Sequence, residues 1–342
     1  MGKLNNFQGL RAVAFMMIFL SHCSIGPFAA GMAVCIFFVL SGFLMVYNYL
    51  SRPDLPCGLI QNIRFSYGKI KKLYPLHLIM LLPMLALEIY SKSFNPLELL
   101  ANVFLVQAWI PVRGFYFGYN GVAWFLSVCA FLYFIFPYLL KSFKNNYSLK
   151  KAFAVIGITF ALLFLVALLG NFKILNSSLN FTYITYIFPL YRLGDFIIGC
   201  NLGYIFLKEK SNKNFLNLTV LQGTLLELIS LVLLLILATD LNPLKSDYHI
   251  VAALPFVSLF IFILGFNKGF LSKMLSQKSI FVELGNISGY TYLIHQVVIN
   301  YVLIVFHNKY IVAALSLMLT LFAAYLYRIF INKLPKIQFK RR

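Results

Sequence analysis

The chain has 342 residues, 61% of them hydrophobic and only 11% charged, where an ordinary soluble domain carries roughly 25% charged residues. That balance excludes a soluble globular protein and makes the lipid bilayer the first expected partner. The 29 Lys and Arg against 9 Asp and Glu, a net charge of +20, would suggest nucleic acid in a soluble chain; in a membrane protein the same excess belongs to cytoplasmic loops, and no nucleic-acid partner is expected.

Apolar runs long enough for a hydrocarbon core of about 30 Å fall at 7–25, 28–50, 69–90, 121–140 and 151–170, then at 181–206, 219–239, 249–266, 287–306 and 310–331. The first has the length of a signal peptide, but it carries Arg11 and His22 and lacks a small-residue cleavage site, so a retained helix is expected. Residues 96–111 are too short to span and hold Pro at both ends, which predicts an interfacial or re-entrant piece.

The loops give an independent check on the count. With the N-terminus inside, the inner side receives Lys3 and the basic clusters at 52–72, 141–151, 208–213, 268–278 and 333–342. The outer loops hold only Lys92, Arg113, Lys173, Lys245 and Lys309, and Arg11, Arg192 and Arg328 lie within spans. An error of one helix would scramble this alternation. The expectation is an all-α polytopic membrane protein of about ten transmembrane helices. Both termini are cytoplasmic, and residues 1–342 form one domain with no repeat and no soluble domain. Five cysteines include no C-x-x-C pair, so neither a metal site nor a disulfide framework is indicated. Cys23, Cys35, Cys129 and Cys200 read as small hydrophobes.

An ionisable group inside a span costs about 2.5–3.5 kcal/mol on insertion scales, so each needs a reason. Arg11 and His22 are eleven residues apart, and eleven steps of 100° return to within about 20° of one face. They predict a polar stripe roughly 16 Å long on the first helix. A neutral imidazole can accept a proton from a hydroxyl, and a guanidinium can hold phosphate or carboxylate. The competing reading is an Arg that snorkels and a His satisfied by a neighbouring helix. Arg192 and Asp195, three apart, can neutralise each other inside the membrane. Ser41, before Gly42, reads as a site of close helix packing rather than a nucleophile. His77, His249 and His307 read as structural or loop-edge residues.

Several motifs in order resemble acyltransferase family 3, polytopic acyltransferases that modify envelope glycans. They are G-L-R-A-V-A at Gly9 to Ala14 with His22 following, F-F-V-L-S-G-F-L at Phe37 to Leu44, and K-I-K-K-L-Y-P at Lys69 to Pro75. W-F-L-S at Trp124 to Ser127, P-L-Y-R-L-G-D-F-I-I-G at Pro189 to Gly199 and S-G-Y-T-Y-L-I-H at Ser288 to His295 complete the series, from about residue 5 to 305. Two departures stand out. The family's basic pair is usually arginine where Lys69 and Lys72 stand here, so point charges replace bidentate forks. Many members carry Glu where this chain has Cys129, whose apolar setting keeps a thiol protonated.

The resemblance implies an acyl-CoA donor, most often acetyl-CoA, with no permanently bound cofactor and no metal. Lys69, Lys72 and Arg11 are expected to hold the donor's phosphates. His22, as general base or transient acyl carrier, would pass the acyl group to a hydroxyl of an envelope polysaccharide or lipid-linked saccharide. Arg192, Asp195, His295, Trp124, Ser127 and Ser41 are the expected supporting or cavity-lining groups. The implied location is the bacterial cytoplasmic membrane, with room for a separate extracytoplasmic partner. Two other readings stay open from sequence: a transporter or flippase for lipid-linked glycans, which calls for inverted repeats and broken helices, and a glycan polymerase, which calls for a larger outer loop than residues 91–120.

Overall fold

A computed structural model describes residues 4–26, 30–53, 55–171, 181–211, 218–238, 249–277 and 280–333. Lys3, Lys173, Lys213, Lys245, Lys278 and the basic residues from 336 to 342, used above to orient the chain, lie outside the described residues, as does the side chain of His249.

The elements in chain order are α1 (Asn5–His22), α2 (Ala30–Tyr49), α3 (Leu59–Ile70), α4 (Tyr74–Tyr90), α5 (Pro96–Val103), α6 (Arg113–Tyr116) and α7 (Trp124–Lys144). They continue as α8 (Leu149–Asn171), α9 (Pro189–Ser211), α10 (Val220–Ala238), α11 (His249–Gly265), α12 (Phe270–Ser276), α13 (Ile280–Val305) and α14 (Lys309–Lys333). Among the described residues there is no strand. Each of the ten apolar runs contains helix among the described residues, though runs 69–90 and 181–206 are interrupted. Five helices, α2, α7, α8, α13 and α14, are long and apolar enough to cross a membrane, and two bent pairs bring the total to seven. The stretch 96–111 does not form a span: it breaks into α5 and a single 3-10 turn at Gln107–Trp109.

The third run is corrected. The sequence placed one helix over 69–90 with Lys69 and Lys72 at its start, but α3 ends at Ile70 and meets α4 at a 67° bend. Pro75 lies in the first turn of α4, the one helical position where its missing N–H costs nothing. Helix α3 escaped notice because its polarity is inverted. Asn62 and Ser66 face inward and donate to the carbonyls of Phe134 and Ala130 on α7, at 2.8 and 2.6 Å. Leu59 and Ile60, 66% and 61% exposed, point outward, as expected of a surface that meets lipid.

Helix α2 is the centre of the bundle, apolar on all sides and almost wholly buried. It crosses α9 at backbone contact distance. A side chain at Gly199 would strike the Val39 backbone, and one at Gly203 would lie 2.7 Å from the Phe43 carbonyl. The spacing Gly199 to Gly203 is the small-residue signature of membrane helix pairs, which associate by packing because lipid tails offer no hydrophobic drive. Helices α1 and α13 form a second close pair, running parallel: Gly285 abuts the Gln8 backbone near one end, and His22 meets His295 near the other.

Candidate active site

A cavity of about 370 Å³ opens between α1, α2, α7 and α13, within the range of roughly 300–1,000 Å³ typical of small-molecule sites. It runs along α2 from exposed Asn48 at the mouth through Met45, Leu44, Ser41 and Leu40 to Phe37. Eleven residues at 1.5 Å each give a depth of about 16 Å. The α3 to α4 bend closes one side of the mouth with Lys69, Ile70 and Leu73.

Besides Lys69 from α3 and Ser288 and Tyr292 from α13, polar groups enter this apolar tube from three further helices. Arg11 and Gln8 come from α1, Ser41 from α2, and Cys129 and Tyr133 from α7. The Tyr133 hydroxyl and Ser41 Oγ are hydrogen-bonded at 3.0 Å. The Nε of Arg11 is buried and has no hydrogen-bond partner among the described residues. A buried cationic donor left unpaired is costly, so Arg11 is poised for an anionic or carbonyl ligand in the cavity.

The two lysines part company. Lys69 lines the cavity, donates to the Tyr49 hydroxyl at 2.7 Å and lies 4.2 Å from the centre of that ring. Lys72 sits beyond the end of α3, exposed, with Nζ 3.2 Å from Asn332 Oδ1. It does not line the cavity.

His22 Nδ1 and His295 Nε2 are 2.8 Å apart, with ring planes within 10° of each other. His295 Nδ1 lies 2.7 Å from the Tyr292 carbonyl, which can only accept. The network therefore places the proton of neutral His295 on Nδ1 and leaves Nε2 as acceptor. His22 must donate from Nδ1, so its Nε2 keeps the lone pair. His295 is a positioning residue that fixes the tautomer and plane of His22. Asn120, before α7, fastens the same turn of α13 by donating to the Leu293 carbonyl at 2.8 Å.

The expected polar stripe on α1 is interrupted, which corrects the sequence reading. Phe15 and Ile18 occupy the same face between Arg11 and His22, and both are buried. Phe15 meets the His295 ring edge-on at 5.7 Å, and Phe19 lies 6.3 Å from it. Arg11 belongs to the cavity, whereas the histidine pair stands one layer beyond it, behind Tyr292.

The remaining expected groups are structural in their contacts. Arg192 pairs with Asp195 at 2.7 Å, donates from Nε to the Tyr186 carbonyl at 2.8 Å, and lies among the rings of Tyr186, Tyr191 and Phe38. Trp124 packs on Tyr186 at 4.9 Å and so closes this cage. Ser127 Oγ donates to the Leu105 carbonyl, fixing the segment between α5 and α6 to α7. Of the six supporting residues expected from sequence, Ser41 alone is among those lining the cavity. Among the cavity residues that sequence reasoning missed, Gln8, Asn48 and Ser288 included, Tyr133 is the one bonded to Ser41, and as one of 21 tyrosines it has nothing in its neighbours to mark it. His77 is buried and within 2.9 Å of the Asn102 carbonyl, the packing role expected.

A family model described as an acyltransferase domain matches residues 4–331. Among curated proteins, the chain is similar to Acyltransferase MdmB of Streptomyces mycarofaciens, 23% identical over 329 residues, a match covering 87% of this chain and 80% of that protein. No solved structure matches.

Proposed function

The chain belongs to acyltransferase family 3, matched over nearly its whole length, and from that premise we propose that this multi-pass membrane acyltransferase moves an acetyl group from cytoplasmic acetyl-CoA to a hydroxyl of an envelope polysaccharide or its lipid-linked precursor. In this reading all ten apolar helices span the bacterial cytoplasmic membrane with both termini inside, which turns the mouth of the cavity, with Lys69, toward the cytoplasmic donor. Arg11 and Lys69 meet the donor along the cavity; Lys72, directed at Asn332, contributes only to the field at the mouth.

His22 acts as general base. Its Nε2 takes the proton of the acceptor hydroxyl as that oxygen attacks the thioester carbonyl. A carbon–oxygen bond forms, the carbon–sulfur bond breaks, and the proton passes from Nε2 to the departing thiolate, leaving CoA as a thiol and His22 neutral. His295 stabilises the transient imidazolium through Nδ1 of His22 and hands its own Nδ1 proton to nothing, since the Tyr292 carbonyl cannot accept it covalently. The observation that carries this reading is the chain from His22 through His295 to the Tyr292 carbonyl, which gives the imidazole one tautomer inside a membrane acyltransferase. The bent pairs α3 with α4 and α11 with α12 also suit a transporter, but family membership favours group transfer.

The test uses membranes containing the full chain, radiolabelled acetyl-CoA and the glycan fraction of the same cells. His22→Ala is expected to lower label transfer by about 10²–10⁴-fold at equal protein level. Unchanged transfer removes His22 from the chemistry, and glycan movement without label would favour a transporter.

A further inference from the structure

The inner end of the cavity is made of three rings from three helices. Phe37, Phe125 and Tyr292 all line it. Phe125 lies 5.1 Å from Tyr292 and 5.9 Å from Phe37, and Phe37 lies 6.4 Å from Tyr292. Beyond them stands His295, its ring 5.7 Å from that of Tyr292. The rings therefore separate the compartment holding Arg11 from the layer holding the histidine pair.

Each ring is held from behind. Phe125 packs on Phe38 at 4.7 Å, and Phe38 is part of the cage around Arg192. The Tyr292 ring packs on the His295 ring at 5.7 Å. Phe37 stands on α2, whose crossing with α9 leaves no room for backbone movement. The three rings are in mutual contact, so a passage past them opens only by side-chain rotation within this frame, and an apolar passage of that kind discriminates by size.

We infer that Phe37, Phe125 and Tyr292 form an aromatic constriction that determines the largest acyl group the enzyme transfers, restricting it to short chains. This rests on the donor reading of the cavity given above. An acyl group whose CoA lies along the cavity must pass the three rings to bring its carbonyl within reach of His22 Nε2. Each added methylene meets ring carbon rather than free space. Apolar pockets discriminate single methylenes by roughly 10–200-fold, so removal of one ring is expected to shift selectivity by about tenfold or more.

The experiment compares kcat/KM for acetyl-CoA and butyryl-CoA in membranes bearing the full chain, for wild type, Phe125→Ala and Phe125→Leu. The ratio of butyryl to acetyl transfer is expected to rise about tenfold or more in Phe125→Ala and less in Phe125→Leu. Because each ratio is internal to one preparation, a lower amount of folded variant does not affect it. If Phe125→Ala does not accumulate, Phe37→Ala carries the same expectation. An unchanged ratio with acetyl transfer intact overturns the constriction and leaves the donor reading standing. Wild-type membranes that transfer neither acyl group overturn both.

Discussion

Arg192 and Arg11 sit on helices of the same bundle and have opposite surroundings. Arg192 is fully buried, paired with Asp195, bonded to a backbone carbonyl and enclosed by three aromatic rings. Each keeps one buried nitrogen without a hydrogen-bond partner among the described residues, Arg192 Nη2 and Arg11 Nε, but Arg11 faces a cavity and makes no ion pair among the described residues. A guanidinium whose charge is answered within the protein holds helices together. One whose charge is left unanswered waits for a ligand. The difference separates a cation neutralised by a carboxylate from one that opens on a cavity, without reference to the motif in which either lies.

The largest expected effect comes from opening the closed site. Arg192→Met leaves Asp195 buried and unpaired, which costs about 3–5 kcal/mol, to be read as a lower thermal midpoint in detergent. Adding Asp195→Leu removes the orphaned charge and is expected to restore most of that loss. A single variant as stable as wild type would show that the pair is not what holds α9 in place.

The converse substitution, Arg11→Met, is expected to leave the midpoint unchanged and lower kcat/KM for the acyl donor by about 10–100-fold, the equivalent of one charge-assisted hydrogen bond. Lower stability with unaltered kinetics would reverse the assignment of the two arginines. The smallest contrast is at the mouth. Lys69→Ala is expected to raise the donor KM about two- to tenfold, whereas Lys72→Ala stays within about twofold, since exposed charges act through screened fields. Equal effects would place both lysines on the donor.

The all-helical architecture was legible because each apolar run is long, although five helices and two bent pairs are what the structure holds as long and apolar enough to span. The α2 crossing with α9 was half legible: close packing was read at Ser41, whereas it is the neighbouring Gly42 that meets the α9 backbone at Phe196, Gly199 and Cys200, and Ser41 faces the cavity. Helix α3 was hidden because outward apolar and inward polar residues do not make an apolar run. Angular phasing put Arg11 and His22 on one face correctly, yet phasing ignores what else occupies that face, and Phe15 and Ile18 divide it. The meeting of His22 with His295, 273 residues away, depends on the parallel pairing of α1 and α13, which no local pattern encodes. Lys69 and Lys72 looked equivalent because the bend between α3 and α4 was not anticipated; three residues of turn send one inward and the other out.

Helix α14 contributes no side chain to the cavity, but the Tyr327 hydroxyl donates to the Lys72 carbonyl at 2.8 Å and Asn332 receives the Lys72 ammonium. These bonds brace the turn from which Lys69 and Leu73 reach the mouth. Loosening the last helix, by trimming it or by fusing a bulky tag close behind it, would therefore widen the doorway from outside. Such damage would register as weaker substrate capture long before the bundle itself came apart.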